Sequence, residues 1–199
     1  MNAVSWRRSL NCDGFYGAAL LAGLALLLAC AAGGERTLLA LRYERSAIAA
    51  GEWWRLLGAH LVHLGWLHLL LDALALCLLW ALYARAFSVR AWLLVCSGAI
   101  VAIDAGLWWL SPAVQWYAGI SGLLHGIWAA GAVQAARRRE FAGWLLLLAL
   151  ALKLLREYQL GAGVLIAALP VVTQAHRYGA LGALLVVAAL WLRSPARAA

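Results

Sequence analysis

The sequence predicts an all-α membrane protein: a single domain over residues 1–199, built as a polytopic bundle of six transmembrane helices. Composition is the first reason, because 66% of the 199 residues are hydrophobic and 12% are charged, whereas a soluble domain is about half apolar and a quarter charged. The second reason is six apolar runs near the ~20 residues that a helix needs to cross a bilayer. The third is that basic residues concentrate between these runs.

The predicted spans follow one another along the chain at 15–32, 61–83, 91–110, 117–136, 141–155 and 173–192. The first is interpreted as an uncleaved helix rather than a signal peptide, because it is long enough to span and five further runs follow. Residues 33–60 form an outer loop whose mixed charges and Trp53-Trp54 pair predict a segment lying at the membrane interface. Residues 160–172 are apolar but Gly-rich, which is compatible with a re-entrant or capping loop.

Basic residues set the predicted orientation and partners. Lys and Arg number nine on one side of the membrane and seven on the other, and the run Arg137–Arg139 is the strongest single signal. Both termini are therefore expected in the cytoplasm, with the outer loop on the opposite side. The net charge of +8 is attributed to these loops and to anionic lipid head groups, so nucleic acid is not expected as a partner.

Ionisable side chains inside the spans are candidates for function, because each costs several kcal/mol in lipid. The predicted orientation places Ser121, His68 and His176 at one depth, near the outer ends of three spans. His125 and Asp72 follow one helical turn deeper, on the same faces as Ser121 and His68. Three parallel helices can thus bring a nucleophile, a base and further donors to one point.

Small residues should allow these helices to approach closely. They flank the candidate serine and histidine in the fourth and sixth spans: Gly119, Gly122, Gly126, Gly179 and Gly182. Close approach is needed because a Ser–His pair on different helices must come within about 2.6–3.2 Å to exchange a proton.

These residue types predict nucleophilic catalysis. His176 would remove the Ser121 proton while Ser121 Oγ attacks a peptide carbonyl. The backbone N–H of Ser121 and the side chain of His68 are the candidate donors to the oxyanion. No carboxylate is required to orient His176, so the sequence indicates a Ser–His dyad rather than a triad. No cofactor is expected, and the cysteines show no metal-binding spacing.

At these residues the chain resembles the rhomboid family. The motifs that carry the resemblance are the GxSG sequence at 119–122, the second-helix histidines His63 and His68, the sixth-helix His176 with Gly179, and Trp54-Arg55 in the first loop. The resemblance implies an intramembrane serine endopeptidase that acts near the outer end of a substrate's transmembrane helix. It also implies a bacterial inner membrane, with the active site toward the periplasm.

More narrowly, residues 119–126 and the minimal six-span chain look like the rhombosortase branch. That branch is associated with proteins whose C-terminus carries a Gly-Gly motif, one helix and a basic tail. The partners implied are such a transmembrane protein substrate and membrane lipids.

Asp72 departs from the family pattern, which has Asn at this position. An ionised Asp72 would repel the oxyanion, whereas a protonated carboxyl could donate a hydrogen bond as an Asn amide does. Pairing with His125, which is expected at the same depth, is the alternative.

Two other functions compete with proteolysis. Five histidines could ligate iron or copper, although no span carries paired histidines facing a partner pair, as bis-histidine haem requires. A non-proteolytic rhomboid-like binding protein or transporter is the other alternative. Such a homologue is expected to lack the serine or the histidine, and both are present here.

Overall fold

The computed structural model describes Asn11, residues 13–161 and residues 171–193. Its helices are α1 (Gly14–Ala32), α2 (Gly34–Leu41), α3 (Arg45–Ala49), α4 (Trp54–Gly58), α5 (Trp66–Tyr83), α6 (Val89–Ala105), α7 (Ser121–Arg137), α8 (Phe141–Leu160) and α9 (Gln174–Arg193). A π-helical turn, Gly106–Leu110, extends α6, and strands β1 (Tyr43–Glu44) and β2 (Trp116–Tyr117) pair antiparallel. Most of the Gly-rich segment predicted as a capping loop, residues 162–170, lies outside the described residues.

The predicted all-α fold is confirmed, and among the described residues four helices are long and apolar enough to cross a membrane. These are α1, α5, α6 with its π-helical turn, and α9. Helix α7 has 17 residues and lies largely buried within the bundle, and α8 carries Lys153, Arg156 and Glu157 in its last two turns. The count of six spans therefore stays a prediction.

Two predicted boundaries differ from the structure. The sequence predicts a fourth span from residue 117, but α7 begins at Ser121, because residues 116–117 are taken up by β2 and Gly119 turns the chain with a φ of 125°. It predicts that the fifth span ends at residue 155, but α8 continues to Leu160, one turn further. Its end is marked by Gly161, whose φ of 74° is a conformation that favours glycine.

The outer loop is structured by α2, α3, α4 and β1. Pairing of β1 with β2 joins the loop to the segment immediately before α7. Arg45 adds a second connection, because its guanidinium donates to the carbonyls of Leu107 at 2.6 Å and Trp108 at 3.1 Å. The outer loop is thus fixed to the end of the bundle at which α7 begins.

Helix α7 lies at the centre of the bundle, in contact with α5, α6, α8 and α9. The prediction that glycines allow close approach is confirmed where α7 meets α9. A Cβ added at Gly179 would lie 2.1 Å from the carbonyl oxygen of Gly122, and one added at Gly126 would lie 2.9 Å from that of Gly179. The two backbones therefore touch without intervening side chains.

We expect Gly179→Ala to lower the free energy of unfolding by about 1–3 kcal/mol, because the new methyl group must push α7 and α9 apart. Gly23→Ala on α1 is the matched control, since a Cβ there meets nothing within 4 Å. Thermal unfolding in detergent, followed by circular dichroism, measures both variants. Equal midpoints for the two would contradict the packing described.

Candidate active site

Ser121 and His176 meet at the ends of two neighbouring helices. Ser121 is the first residue of α7, and His176 lies in the first turn of α9. Ser121 Oγ lies 3.0 Å from His176 Nε2, which is hydrogen-bond distance. The histidine is buried, with 2% of its surface exposed. The structure thus brings together the two residues that the sequence predicts as nucleophile and base.

The other nitrogen of His176 contacts a carboxylate that the sequence reasoning did not include. His176 Nδ1 lies 2.8 Å from Glu157 Oε2, and the other oxygen of Glu157 pairs with the ammonium group of Lys153. The four side chains form one continuous series: Lys153, Glu157, His176 and Ser121. A dyad is therefore an incomplete description of the groups that contact one another here.

The burial pattern of α8 explains why Glu157 faces the bundle. Three residues of this helix are buried, Gly143, Leu150 and Glu157, and they recur every seven residues. A seven-residue interval is close to two helical turns, so these positions share one face. Extending the helix past residue 155 would have placed Glu157 on the face that packs against the bundle.

His125 supports His176 from one side. The two imidazole rings are stacked, with centroids 3.9 Å apart and planes inclined by 11°. His125 Nδ1 donates to the carbonyl oxygen of Ser121 at 2.7 Å, because a carbonyl can only accept. This bond fixes the His125 ring, and the fixed ring limits rotation of His176.

His68 and Asp72 lie on α5, and the structure corrects one expectation about them. Asp72 Oδ2 lies 3.2 Å from His63 Nε2 and 3.5 Å from His68 Nε2, so its neighbours are these two histidines rather than His125. The backbone N–H of Leu64 donates to His68 Nδ1 at 3.4 Å. His68 Nε2 must therefore carry the hydrogen in the neutral ring.

Gly119 and Gly122 lack side chains where neighbouring residues come very close. A Cβ at Gly119 would lie 2.8 Å from His68 Cε1, and the φ of this residue is 125°. A Cβ at Gly122 would lie 3.1 Å from the carbonyl oxygen of Ala175, the residue before His176. Both glycines thus let histidine-bearing helices approach the start of α7.

A cavity of about 190 Å³ connects these groups. Its polar lining comprises Ser121, His176, His68, Asp72, His125 and Lys153. Leu79, Leu124 and Trp128 contribute to its apolar wall. The five ionisable or nucleophilic residues that the sequence singles out therefore share one cavity, with the lysine as an addition.

His125, Glu157 and His176 each offer a ligand atom within 4.8 Å of the others, but their arrangement suits hydrogen bonding better than metal binding. The lone pairs of stacked, parallel imidazoles lie in separate planes and do not converge on one point about 2.0–2.1 Å from both nitrogens. The Lys153 ammonium also occupies the carboxylate as a competing cation.

Comparison with known proteins identifies the domain that contains this cavity. Residues 50–193 match the rhomboid domain family. The chain belongs to the rhomboid family. The matched region covers more than half of the chain and contains Ser121, Glu157 and His176, so the resemblance seen in the motifs is confirmed at the level of the family.

A relative in Bacillus subtilis (strain 168), described as "Putative rhomboid protease YdcA", is 29% identical over 96 residues. The alignment covers 48% of this chain and 48% of the relative, so it spans about half the length of each protein. No solved structure matches the chain. The rhombosortase branch is a finer assignment than these matches, and it stays a prediction.

Proposed function

We propose that this rhomboid protein is an intramembrane serine endopeptidase in which Ser121 is the nucleophile and His176 is the general base. The observation that carries the proposal is the 3.0 Å contact between Ser121 Oγ and His176 Nε2 beside a cavity. In the reaction, His176 Nε2 accepts the Ser121 proton as Oγ attacks the scissile carbonyl, and then delivers it to the leaving amine.

The start of α7 supplies oxyanion stabilisation. The first N–H groups of an α-helix have no acceptor within the helix, and the helix dipole is positive at this end. Ser121 is the first residue of α7, so its own N–H belongs to this group. His68 adds a second donor from α5, because its hydrogen is on Nε2 and its side chain lines the same cavity.

Asp72 replaces the family's Asn as a neutral donor in this proposal. Its Oδ2 is buried and makes no well-aligned hydrogen bond among the described residues, although His63 Nε2 lies 3.2 Å away. A protonated carboxyl at this point is left with a hydrogen to offer to an oxyanion in the cavity. An ionised carboxylate would instead oppose the negative charge that forms there.

The proposed substrate is a membrane protein with a C-terminal Gly-Gly motif, one transmembrane helix and a basic tail, as in the rhombosortase branch. The likeness of residues 119–126 to that branch supports this choice.

The proposed location is a bacterial inner membrane, with both termini in the cytoplasm and the cavity toward the periplasm. The β1–β2 pair supports a common side for the outer loop and the active site, because it joins residues 43–44 of that loop to the segment just before Ser121. Water needed for hydrolysis would then reach Ser121 from the end of the bundle.

We expect a fluorophosphonate probe to label the purified protein at Ser121, because the probe reacts with serines activated by an adjacent base. Ser121→Ala should abolish labelling and His176→Ala should slow it by about 10²-fold or more. Ser97→Ala, which removes an exposed hydroxyl on α6, is the control and should label normally. An unlabelled wild-type protein would instead indicate a non-proteolytic rhomboid.

Asp72→Asn should keep proteolysis within about threefold of wild type, because the amide donates where the protonated carboxyl does. Asp72→Leu keeps the branching at Cγ without a donor and should lose about 10²-fold. Both rates are measured on one reporter in proteoliposomes. A loss in Asp72→Asn as large as that in Asp72→Leu would refute the neutral-donor role.

A reporter with Gly-Gly before its C-terminal helix and basic tail should be cut in proteoliposomes, while a Leu-Leu version should not, since the proposed substrate is recognised by its Gly-Gly motif. Gel shift and mass spectrometry of the products measure cleavage and its position. Equal cleavage of the two reporters would rule out the Gly-Gly specificity and leave the protease assignment standing.

A further inference from the structure

We propose that Glu157 is a positioning residue that holds His176 in its basic tautomer and stabilises the imidazolium formed during the reaction. The inference rests on the proposed function, because it concerns the same serine and histidine. Its geometric basis is the 2.8 Å contact between Glu157 Oε2 and His176 Nδ1, opposite the 3.0 Å contact between His176 Nε2 and Ser121 Oγ.

The carboxylate determines which nitrogen of His176 carries the hydrogen. An ionised carboxylate only accepts hydrogen bonds, so Nδ1 must donate to Glu157. In the neutral ring, Nε2 is then left with its lone pair directed at Ser121 Oγ. This is the tautomer that a general base needs, and in the other tautomer Nε2 would present a hydrogen to the serine.

Proton movements balance without a change at Glu157. The Ser121 proton moves to His176 Nε2 as Oγ bonds to the carbonyl carbon, and the imidazolium then carries hydrogens on both nitrogens. Nδ1–H continues to donate to Glu157, whose negative charge offsets the positive ring. The Nε2 proton then passes to the leaving amine as the peptide bond breaks, and Glu157 remains a carboxylate throughout.

The burial of Glu157 argues against an incidental contact. Only 4% of Glu157 is exposed, whereas its sequence neighbours Arg156 and Tyr158 are exposed on the same helix. A carboxylate inside a membrane-associated bundle is costly unless it is paired. Glu157 has two partners, the Lys153 ammonium on one oxygen and His176 on the other. A purely structural role at this position would be filled as well by an apolar side chain.

Lys153 keeps the carboxylate available for His176. It lies one turn before Glu157 on α8 and pairs with Oε1, so Oε2 is left for the imidazole. About 37% of the Lys153 side chain is exposed, compared with 3% for Glu157. The lysine thus connects a buried carboxylate to the more exposed edge of the cavity.

Several charged or titratable groups face His176 and bear on any pH profile of the reaction. From α8 these are Glu157 and Lys153, from α7 His125, and from α5 His68 and Asp72. On α9 itself, Arg177 lies over the Tyr158 ring and Tyr178 bonds to Ser111. The test must therefore change Glu157 while leaving the rest of this set in place.

The experiment measures the rate of fluorophosphonate labelling from pH 5 to 9, in wild type, Glu157→Gln and Glu157→Asp. We expect Glu157→Gln to be slower by about 10²-fold or more. Its pH–rate profile should differ in shape from that of wild type, because the substitution removes the negative charge beside His176 Nδ1. Glu157→Asp restores the charge and should recover part of the rate and of the wild-type profile.

Two controls separate positioning from other effects of the substitution. Arg156→Gln makes the same kind of change one residue away at an exposed position and should label as wild type does. The double variant Glu157→Gln, Lys153→Met tests whether an unpaired lysine ammonium causes the defect. Positioning by Glu157 predicts that the double variant stays as slow as Glu157→Gln. Recovery to the wild-type rate would assign the defect to the lysine and overturn the proposal.

A measurement independent of activity completes the test. In protein labelled with ¹⁵N-histidine, the Nδ1–H of His176 should give a downfield proton resonance that is absent from Glu157→Gln and from His176→Ala. Its absence from wild type would overturn the positioning role of Glu157. Normal labelling and an unchanged pH profile in Glu157→Gln would also do so, with the protease assignment intact. Failure of wild type to label, with the resonance present, would refute the protease assignment alone.

Discussion

Helices α7 and α9 meet backbone to backbone at Gly122 and Gly179, and the geometry of the candidate site depends on this contact. A side chain at either glycine would have to share space with the opposing main chain, so the helices would separate. Ser121 lies one residue before Gly122, and His176 lies three residues before Gly179 on the facing helix. The 3.0 Å distance between Ser121 Oγ and His176 Nε2 is therefore a consequence of helix packing rather than of local loop structure.

Once the two backbones are in contact, α8, α5 and α7 itself add groups around His176 or around the space before Ser121. Helix α8 presents Glu157 to the far nitrogen of the imidazole, and α5 directs His68 and Asp72 into the cavity from the other side. His125, one turn below Ser121, covers the face of the His176 ring. The groups are buried, so their hydrogen bonds compete little with water, and their orientation is fixed before a substrate arrives.

Much of this arrangement is accessible from sequence, because lipid imposes strong rules on a chain. Apolar run length predicted the helices, and the depth of each polar residue along its span predicted that Ser121, His68 and His176 would share one level. The flanking glycines predicted the close approach that the structure shows at Gly122 and Gly179. Depth alone carries no information about rotation around a helix axis. For that reason depth predicts His125 as a partner of Asp72, whereas the neighbours of Asp72 in the structure are His63 and His68.

Glu157 escaped sequence reasoning for a different physical reason. It follows Lys153 and Arg156 at the end of an apolar run, where charged residues ordinarily mark the membrane interface. The additional turn to Leu160 places it on the buried face of α8, and that turn has no strong composition signal. The short β1–β2 pair was also beyond prediction, because two-residue strands show no periodicity.

The central claim is that helix packing, and not substrate binding, brings the hydroxyl at Ser121 to the imidazole at His176. An experimental structure of the substrate-free protein in lipid nanodiscs, at a resolution that defines side chains, is the most direct measurement. The account predicts Oγ and Nε2 within hydrogen-bond distance, about 2.7–3.2 Å, with Gly122 and Gly179 in backbone contact. A structure in which the two groups lie on opposite sides of the bilayer would contradict this prediction. So would one in which they are ~10 Å apart with a side chain between the helices.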